Sequence, residues 1–233
     1  MLFLRRPAGG RITRGKRNMM EKIAAFFRGM ARPRMARRLT ALFVSIFFMG
    51  FCVAVFDLIA LGTDPCTVFN LGMADTLGIP FGTYQLLFNI LLVIIVLKTD
   101  ITRIGAGTLA NMAGVGYVAE FFMWLFDQPA ALRDLSLAAR LGIFVPTMLL
   151  FLVVVSIYMA VDMGVAPYDA LPQIIAKRQK KLSFRVIRMI WDIAALSIGW
   201  LLGSTVGIVT VITGFCLGPM IAWVSRRVEP FFR

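Results

Sequence analysis

The sequence contains no histidine, only three cysteines and only 12 acidic residues in 233. Each shortage excludes something. Without histidine the chain lacks the usual metal ligand and the one side chain that exchanges protons near neutral pH, so any proton chemistry falls to carboxylates. Neither a Ser/His pair nor a histidine-based metal triad can form, and the expectation is a protein that is not an enzyme and uses no cofactor or metal. Cys52, Cys66 and Cys216 stand far apart in apolar surroundings with no CxxC spacing, which predicts buried thiols without a disulfide or metal site. The glycines at Gly105 and Gly107 follow no strand and precede no Walker lysine, which argues against nucleotide binding.

Apolar residues are what the chain has in excess. They make up 59% of it against 16% charged, and the mean hydropathy of +0.82 exceeds what a soluble domain can hide from water. Six runs are long enough to cross a hydrocarbon core of about 30 Å, which takes roughly 20 helical residues. They are Thr40 to Leu61, Phe81 to Lys98, Ile104 to Phe126, Leu141 to Asp162, Phe184 to Leu202 and Thr205 to Val224. Two further segments, Cys66 to Leu77 and Pro167 to Ala176, are too short to span. Pro65 and Pro167 open them, as suits the first turn of a helix, so both read as half-helices.

The formal net charge is +13, and most of it precedes the first span. Twelve Lys and Arg through Arg38 face Glu21 alone, a local net of +11. A basic tail just before a hydrophobic span holds that end in the cytoplasm and touches anionic lipid headgroups. No nucleic-acid motif accompanies the charge, so nucleic acid is not an expected partner. Met20, Ile23, Phe27 and Met30 recur at helical spacing, as in an amphipathic helix lying on a membrane. A poorly ordered leader, an organellar transit segment, or a start at Met19 or Met20 fits the same residues. With the N-terminus inside, the other inner segments carry residues such as Lys98, Arg103, Lys177, Lys181 and Arg226, while the outer ones hold only Arg133 and Arg140. Both termini are therefore expected on the cytoplasmic side.

The two halves of the chain resemble each other. An offset of 102 lays Gly62, Pro65 and Thr67 over Gly164, Pro167 and Asp169, and Gly105, Thr108 and Gly116 over Gly207, Thr210 and Gly218. With one inserted residue, Phe81 to Asn89 lies over Phe184 to Asp192. The expected architecture is an all-α membrane protein of six transmembrane helices, built as two inverted three-helix repeats that each carry a proline-started half-helix. Its parts are a basic cytoplasmic tail (1–39), repeat 1 (40–127), an outer loop (128–140) and repeat 2 (141–233). Folds of this kind place a ligand site between the repeats, where broken helices leave backbone groups free.

Polar residues inside spans mark the candidate site, because they are costly in lipid. Asn89, Asn111 and Asp192 lie near the middle of their runs, and Gln85 is one helical turn from Asn89. Arg188 is four residues before Asp192, a spacing that lets the two neutralise each other. Asp64 and Asp169 flank the half-helix starts, where a carboxylate caps free N–H groups. The substrate or ion-binding candidates are therefore Asp64, Gln85, Asn89, Asn111, Asp169, Arg188 and Asp192. Asp57, Asp162 and Glu120 read as carboxylates in interfacial water. The fourth-residue spacing of Gly199, Gly203 and Gly207, and of Gly214 and Gly218, reads as close helix packing.

Several of these motifs together resemble the bacterial YczE membrane proteins, relatives of the YitT group. They are Gly62, Asp64 and Pro65 with Val68 and Gly72; IGAGTLAN at Ile104 to Asn111; GVAPYDAL at Gly164 to Leu171; LSFR at Leu182 to Arg185 with Arg188 and Asp192; and Gly203, Thr205, Gly207 and Thr210. The likeness runs from Thr40 to the C-terminus, and departs at Cys66, where the family pattern has tryptophan. It implies a multi-pass protein of the bacterial inner membrane but little chemistry. The favoured function is a small-solute secondary transporter, the substrate unnamed. The alternative is an accessory or structural membrane protein serving a partner complex through its tail. Oligomeric state, a homodimer included, is left open.

Overall fold

The computed structural model describes residues 35–100, 103–128, 135–179, 181–215 and 217–232. The amphipathic segment around Met20 to Met30, Arg133 and Cys216 lie outside the described residues. Within them the chain is all-helical, with no strand: α1 Met35–Ile59, α2 Pro65–Leu77, α3 Phe81–Thr99, α4 Ala106–Asp127, α5 Leu137–Val161, α6 Pro167–Arg178, α7 Phe184–Leu201, α8 Ile208–Phe215 and α9 Leu217–Val228, then a 3-10 turn Glu229–Phe231. Four of these helices, α1, α3, α4 and α5, are long and apolar enough to cross a membrane. Six spans were expected. The helix α7 carries Arg185, Arg188 and Asp192 within 18 residues, and the run from Thr205 to Val224 is described as two pieces, α8 and α9, on either side of position 216. The described part of α1 runs from Met35, five residues before the apolar run, and α5 begins at Leu137, four residues before its run.

The short helices begin and end where local chemistry dictates. Asp64 caps α2 by accepting the Thr67 N–H at 3.1 Å, Pro65 takes the first helical position, and Gly78 closes the helix in the left-handed region at φ 64°. Pro167 likewise opens α6, but Ala166 before it offers no side-chain cap. Helix α3 starts after Pro80 and borrows its cap from a neighbour: Glu120 of α4 accepts the Gly82 N–H at 2.8 Å. Glu120 is therefore a buried-side cap for α3, more than a carboxylate in interfacial water. Inside α5, Pro146 removes one helical donor, and the adjacent Thr147 hydroxyl donates back to the Ile143 carbonyl at 2.7 Å.

Helices α1 and α5 form the central antiparallel pair. Arg38 at the start of α1 donates to the Val161 carbonyl at the end of α5 at 3.1 Å, while Cys52 sits 3.8 Å from the Thr147 carbonyl. Phe56 and Phe151 pack edge to face between them. On one flank α4 packs along α1 and α3 along α4; on the other, α9 packs along α5. The half-helix α2 lies against α7, and α6 lies against both α3 and α7. A Cβ at Gly199 would strike the Val68 backbone, and one at Gly72 the Gly199 carbonyl, so α7 and α2 touch backbone to backbone. Gly203 does not share that role. A Cβ there would meet nothing within 4 Å among the described residues, and Gly203 ends α7 in a left-handed turn at φ 94°.

Local geometry repeats at the spacing of 102 residues. Helix α1 ends at Ala60 with φ 50° and α5 at Asp162 with φ 51°, the two non-glycine residues of positive φ among those described. Gly62 and Gly164 follow at φ 89° and 115°. Each turn is then gripped by the helix start belonging to the opposite half. The Val209 N–H donates to the Leu61 carbonyl at 3.1 Å, and the Gly107 N–H to the Met163 carbonyl at 2.7 Å. Thr210 accepts from the Gly207 N–H at 3.4 Å as Thr108 does from the Gly105 N–H at 3.1 Å. A side chain at Gly207 would collide with the Leu61 carbonyl, and one at Gly105 with the Met163 carbonyl.

Gly105→Ala and Gly207→Ala should each lower stability by about 1–3 kcal/mol, because backbone atoms must give way. Gly142→Ala, with open space around its position inside α5, should be neutral or stabilising by about 0.5–1 kcal/mol. Thermal unfolding in detergent micelles checks both; equal effects at the three sites would contradict the crossed-turn packing.

Candidate functional site

The turns that start the half-helices bring their N-termini together around one arginine. Arg188 is one turn into α7 and Asp192 one turn further, so both project from the same face. The Arg188 Nε donates to Asp192 Oδ2 at 2.7 Å, and its Nη1 to Asp169 Oδ1 on the first turn of α6 at 2.5 Å. The Tyr168 hydroxyl donates to the other oxygen of Asp192 at 2.8 Å. The guanidinium also lies 5.2 Å from the centre of the Tyr168 ring, which packs 5.6 Å from Trp191. Exposure falls inward through the cluster: the side chain of Asp169 is 41% exposed, that of Arg188 32%, and that of Asp192 11%.

Helix α2 supplies the facing wall. Asp64 accepts from the Thr67 hydroxyl at 2.6 Å besides capping the helix, and it lies within electrostatic reach of Asp169 and Arg188. Cys66 packs into the same apolar cluster as Tyr168, Trp191 and Leu92 of α3. Asn70, one turn on, points its amide nitrogen at the Cys66 sulfur at 3.6 Å. Two buried polar atoms here have no hydrogen-bond partner among the described residues, the Asn70 carbonyl oxygen and the Trp191 indole nitrogen. Buried polar atoms ordinarily find partners, so one acceptor and one donor are left unmet on the helices around Arg188. Among the described residues no three metal-ligating side chains gather to hold a metal ion; the carboxylates are arranged around Arg188.

The structure thus bonds together three of the seven residues singled out in the sequence, Asp169, Arg188 and Asp192, while Asp64 caps the neighbouring helix α2. The expected Arg188–Asp192 pair forms. Asp169 does not cap α6; it turns to Arg188 because the guanidinium is a stronger partner than a half-charged helix end. Gln85 and Asn89 lie on α3 and Asn111 on α4, and none of them bonds to the Arg188 cluster. All three are buried, yet none makes a side-chain hydrogen bond among the described residues. Gln85 packs on Gly116, where a Cβ would approach its amide at 3.2 Å, and Asn89 follows one turn along α3. Sequence reasoning missed Tyr168, Trp191 and Asn70. Tyr168 had a signal, since it and Cys66 hold the same place after the helix-starting prolines. Trp191 and Asn70 had none, because only packing turns them inward.

Arg188→Met leaves two carboxylates facing each other, and should cost about 2–4 kcal/mol, below the fully buried figure because a third of the side chain is exposed. Asp169→Asn, at the exposed rim, should cost under about 1 kcal/mol, and Asp192→Asn more. Thermal unfolding of the three variants tests that order; a larger loss at Asp169 than at Asp192 would refute the inward gradient.

An uncharacterized protein of Haemophilus influenzae is 26% identical to this chain over 185 residues, covering 79% of this chain and 82% of that protein. No solved structure matches the chain. Residues 36–226 match the family of unknown function DUF6198, a span from the start of α1 into the last turn of α9 that takes in most of the sequence, and the protein belongs to that family.

Proposed function

We propose that this is a six-span protein of the bacterial inner membrane, made of two inverted three-helix repeats of the YczE/YitT type, that transports a small polar solute by alternating access. The observation that carries the reading is the meeting of the two half-helix N-termini at the Arg188 cluster. Broken helices with charged side chains and unpartnered polar atoms at membrane depth are the construction of transporter sites. The crossed turns support the repeat, since each half holds the other's half-helix by the same bonds. In this reading the solute is held by Asp169, Arg188, Asp192, the Trp191 donor and the Asn70 acceptor. One side of the site is closed by the turn after α3, where Asp100 meets Lys177 of α6 at 3.4 Å and Arg103 donates to Gln173 of α6. Those contacts must part for α6 to swing and open that side. Both termini then face the cytoplasm.

The test is thermal stability of the purified protein across small metabolites and ions, with uptake into proteoliposomes for any hit. A ligand at a hundredfold its Kd stabilises by about 2.7 kcal/mol, which raises Tm by about 5–10 °C in a chain of this size. Asp192→Asn should abolish that shift while Gly142→Ala keeps it. A flat panel from folded protein, or a hit that never accumulates in vesicles, would sink the transporter reading.

A further inference from the structure

A cavity shares no lining residue with the Arg188 cluster. The start of α1, the end of α5 and the terminal turn enclose an open groove of about 570 Å³, within the range of small-molecule pockets. Its floor and walls are apolar, formed by Ala41, Val44, Val154, Ile157 and Val228. The α1 contributions follow helical spacing, Arg37, Thr40, Ala41, Val44 and Ser45, so the groove runs along that helix with its charge at one end. Val44 is about two turns, on the order of 10 Å, beyond Arg37. Ser45 is also in the lining, and its buried hydroxyl has no partner among the described residues.

The charged end is specific. Arg38 is buried and committed to the backbone, donating to the carbonyls of Val161 and Phe232 and so pinning the end of the chain between α1 and α5. Arg37 beside it is exposed, stacked 5.9 and 5.8 Å from the ring centres of Phe231 and Phe232, and among the described residues it has no carboxylate partner. Arg226 and Arg227 are exposed in the last turn of α9 at the same end. Glu229 and Asp162 nearby already have partners. The result is an apolar trough, open sideways, whose mouth offers a guanidinium held by two aromatic rings and without a carboxylate partner among the described residues.

We infer that this groove binds an anionic phospholipid, with an acyl chain lying along Val44 and Ile157, the glycerol region at Thr40, and the phosphate at Arg37. A soluble solute would leave the apolar walls unsatisfied, and a neutral lipid would leave Arg37 uncompensated. Basic pockets between helices at a membrane surface select acidic headgroups by this chemistry. The site is independent of the transport reading and shares no residue with the Arg188 cluster.

Native mass spectrometry of the full-length protein in detergent, titrated with dioleoyl phosphatidylglycerol or dioleoyl phosphatidylcholine, tests it. Wild type should retain phosphatidylglycerol at least fivefold better than phosphatidylcholine. Arg37→Gln should erase that preference while still holding either lipid. Val44→Trp, at an exposed wall position, should fill the trough and weaken both by tenfold or more. Should Val44→Trp fail to fold, a photocrosslinker at position 44 in phosphatidylglycerol proteoliposomes gives a second reading, with a lipid adduct expected. Unchanged lipid retention in both variants, a crosslink to a second copy, or a crosslink to residues 1–34 would overturn the assignment.

Discussion

Everything in this fold depends on two backbone carbonyls that would otherwise be stranded. Where α1 and α5 end, the chain leaves helical geometry, and in a bilayer such backbone survives only if protein satisfies it. The Leu61 carbonyl is met by the Val209 N–H, and the Met163 carbonyl by the Gly107 N–H. Glycine at 105 and 207 permits the approach, because any side chain there would occupy the carbonyl's place. These bonds tie the two halves across each other. They also fix where Pro65 and Pro167 begin the half-helices, and hence where Asp64 and Asp169 sit.

The halves share geometry but differ in chemistry. Laid over each other, Gln85 and Asn89 of the first correspond to Arg188 and Asp192 of the second, and Cys66 to Tyr168. One copy is neutral; the other is ionic and gathers both half-helices around it. Arg188 can hold Asp169 and Asp192 at once because its planar guanidinium presents several donors in fixed directions, which a lysine does not. The neutral copy instead buries amides on α3 that make no side-chain hydrogen bond among the described residues.

Aromatic side chains do two different jobs around Arg188 and Arg37. Tyr168 bonds Asp192 through its hydroxyl and presents its ring to Arg188, so one side chain orders both partners of the ion pair. At the other end Phe231 and Phe232 steady Arg37 without neutralising it, since a ring attracts a cation but leaves its N–H groups free to bind. Arg37 and Arg38 are neighbours with opposite fates because successive helical residues point about 100° apart: one meets carbonyls, the other the groove.

The sequence by itself determined the all-helical class, the four long apolar helices, the two short proline-started segments and the Arg188–Asp192 pair, because hydropathy, proline chemistry and i,i+4 spacing are local properties. The correspondence at 102 residues was legible too, since the glycines at 62, 105, 164 and 207 each answer a steric demand that no other residue meets. Only the tertiary structure decided that Asp169 turns to Arg188 and not to its own helix end, that Glu120 caps α3, that Gly203 forms a turn without packing, and that Tyr168, Trp191 and Asn70 face inward with the charges. Each of these depends on which atom of a distant segment arrives at hydrogen-bonding distance, and a single chain of letters carries no record of that distance.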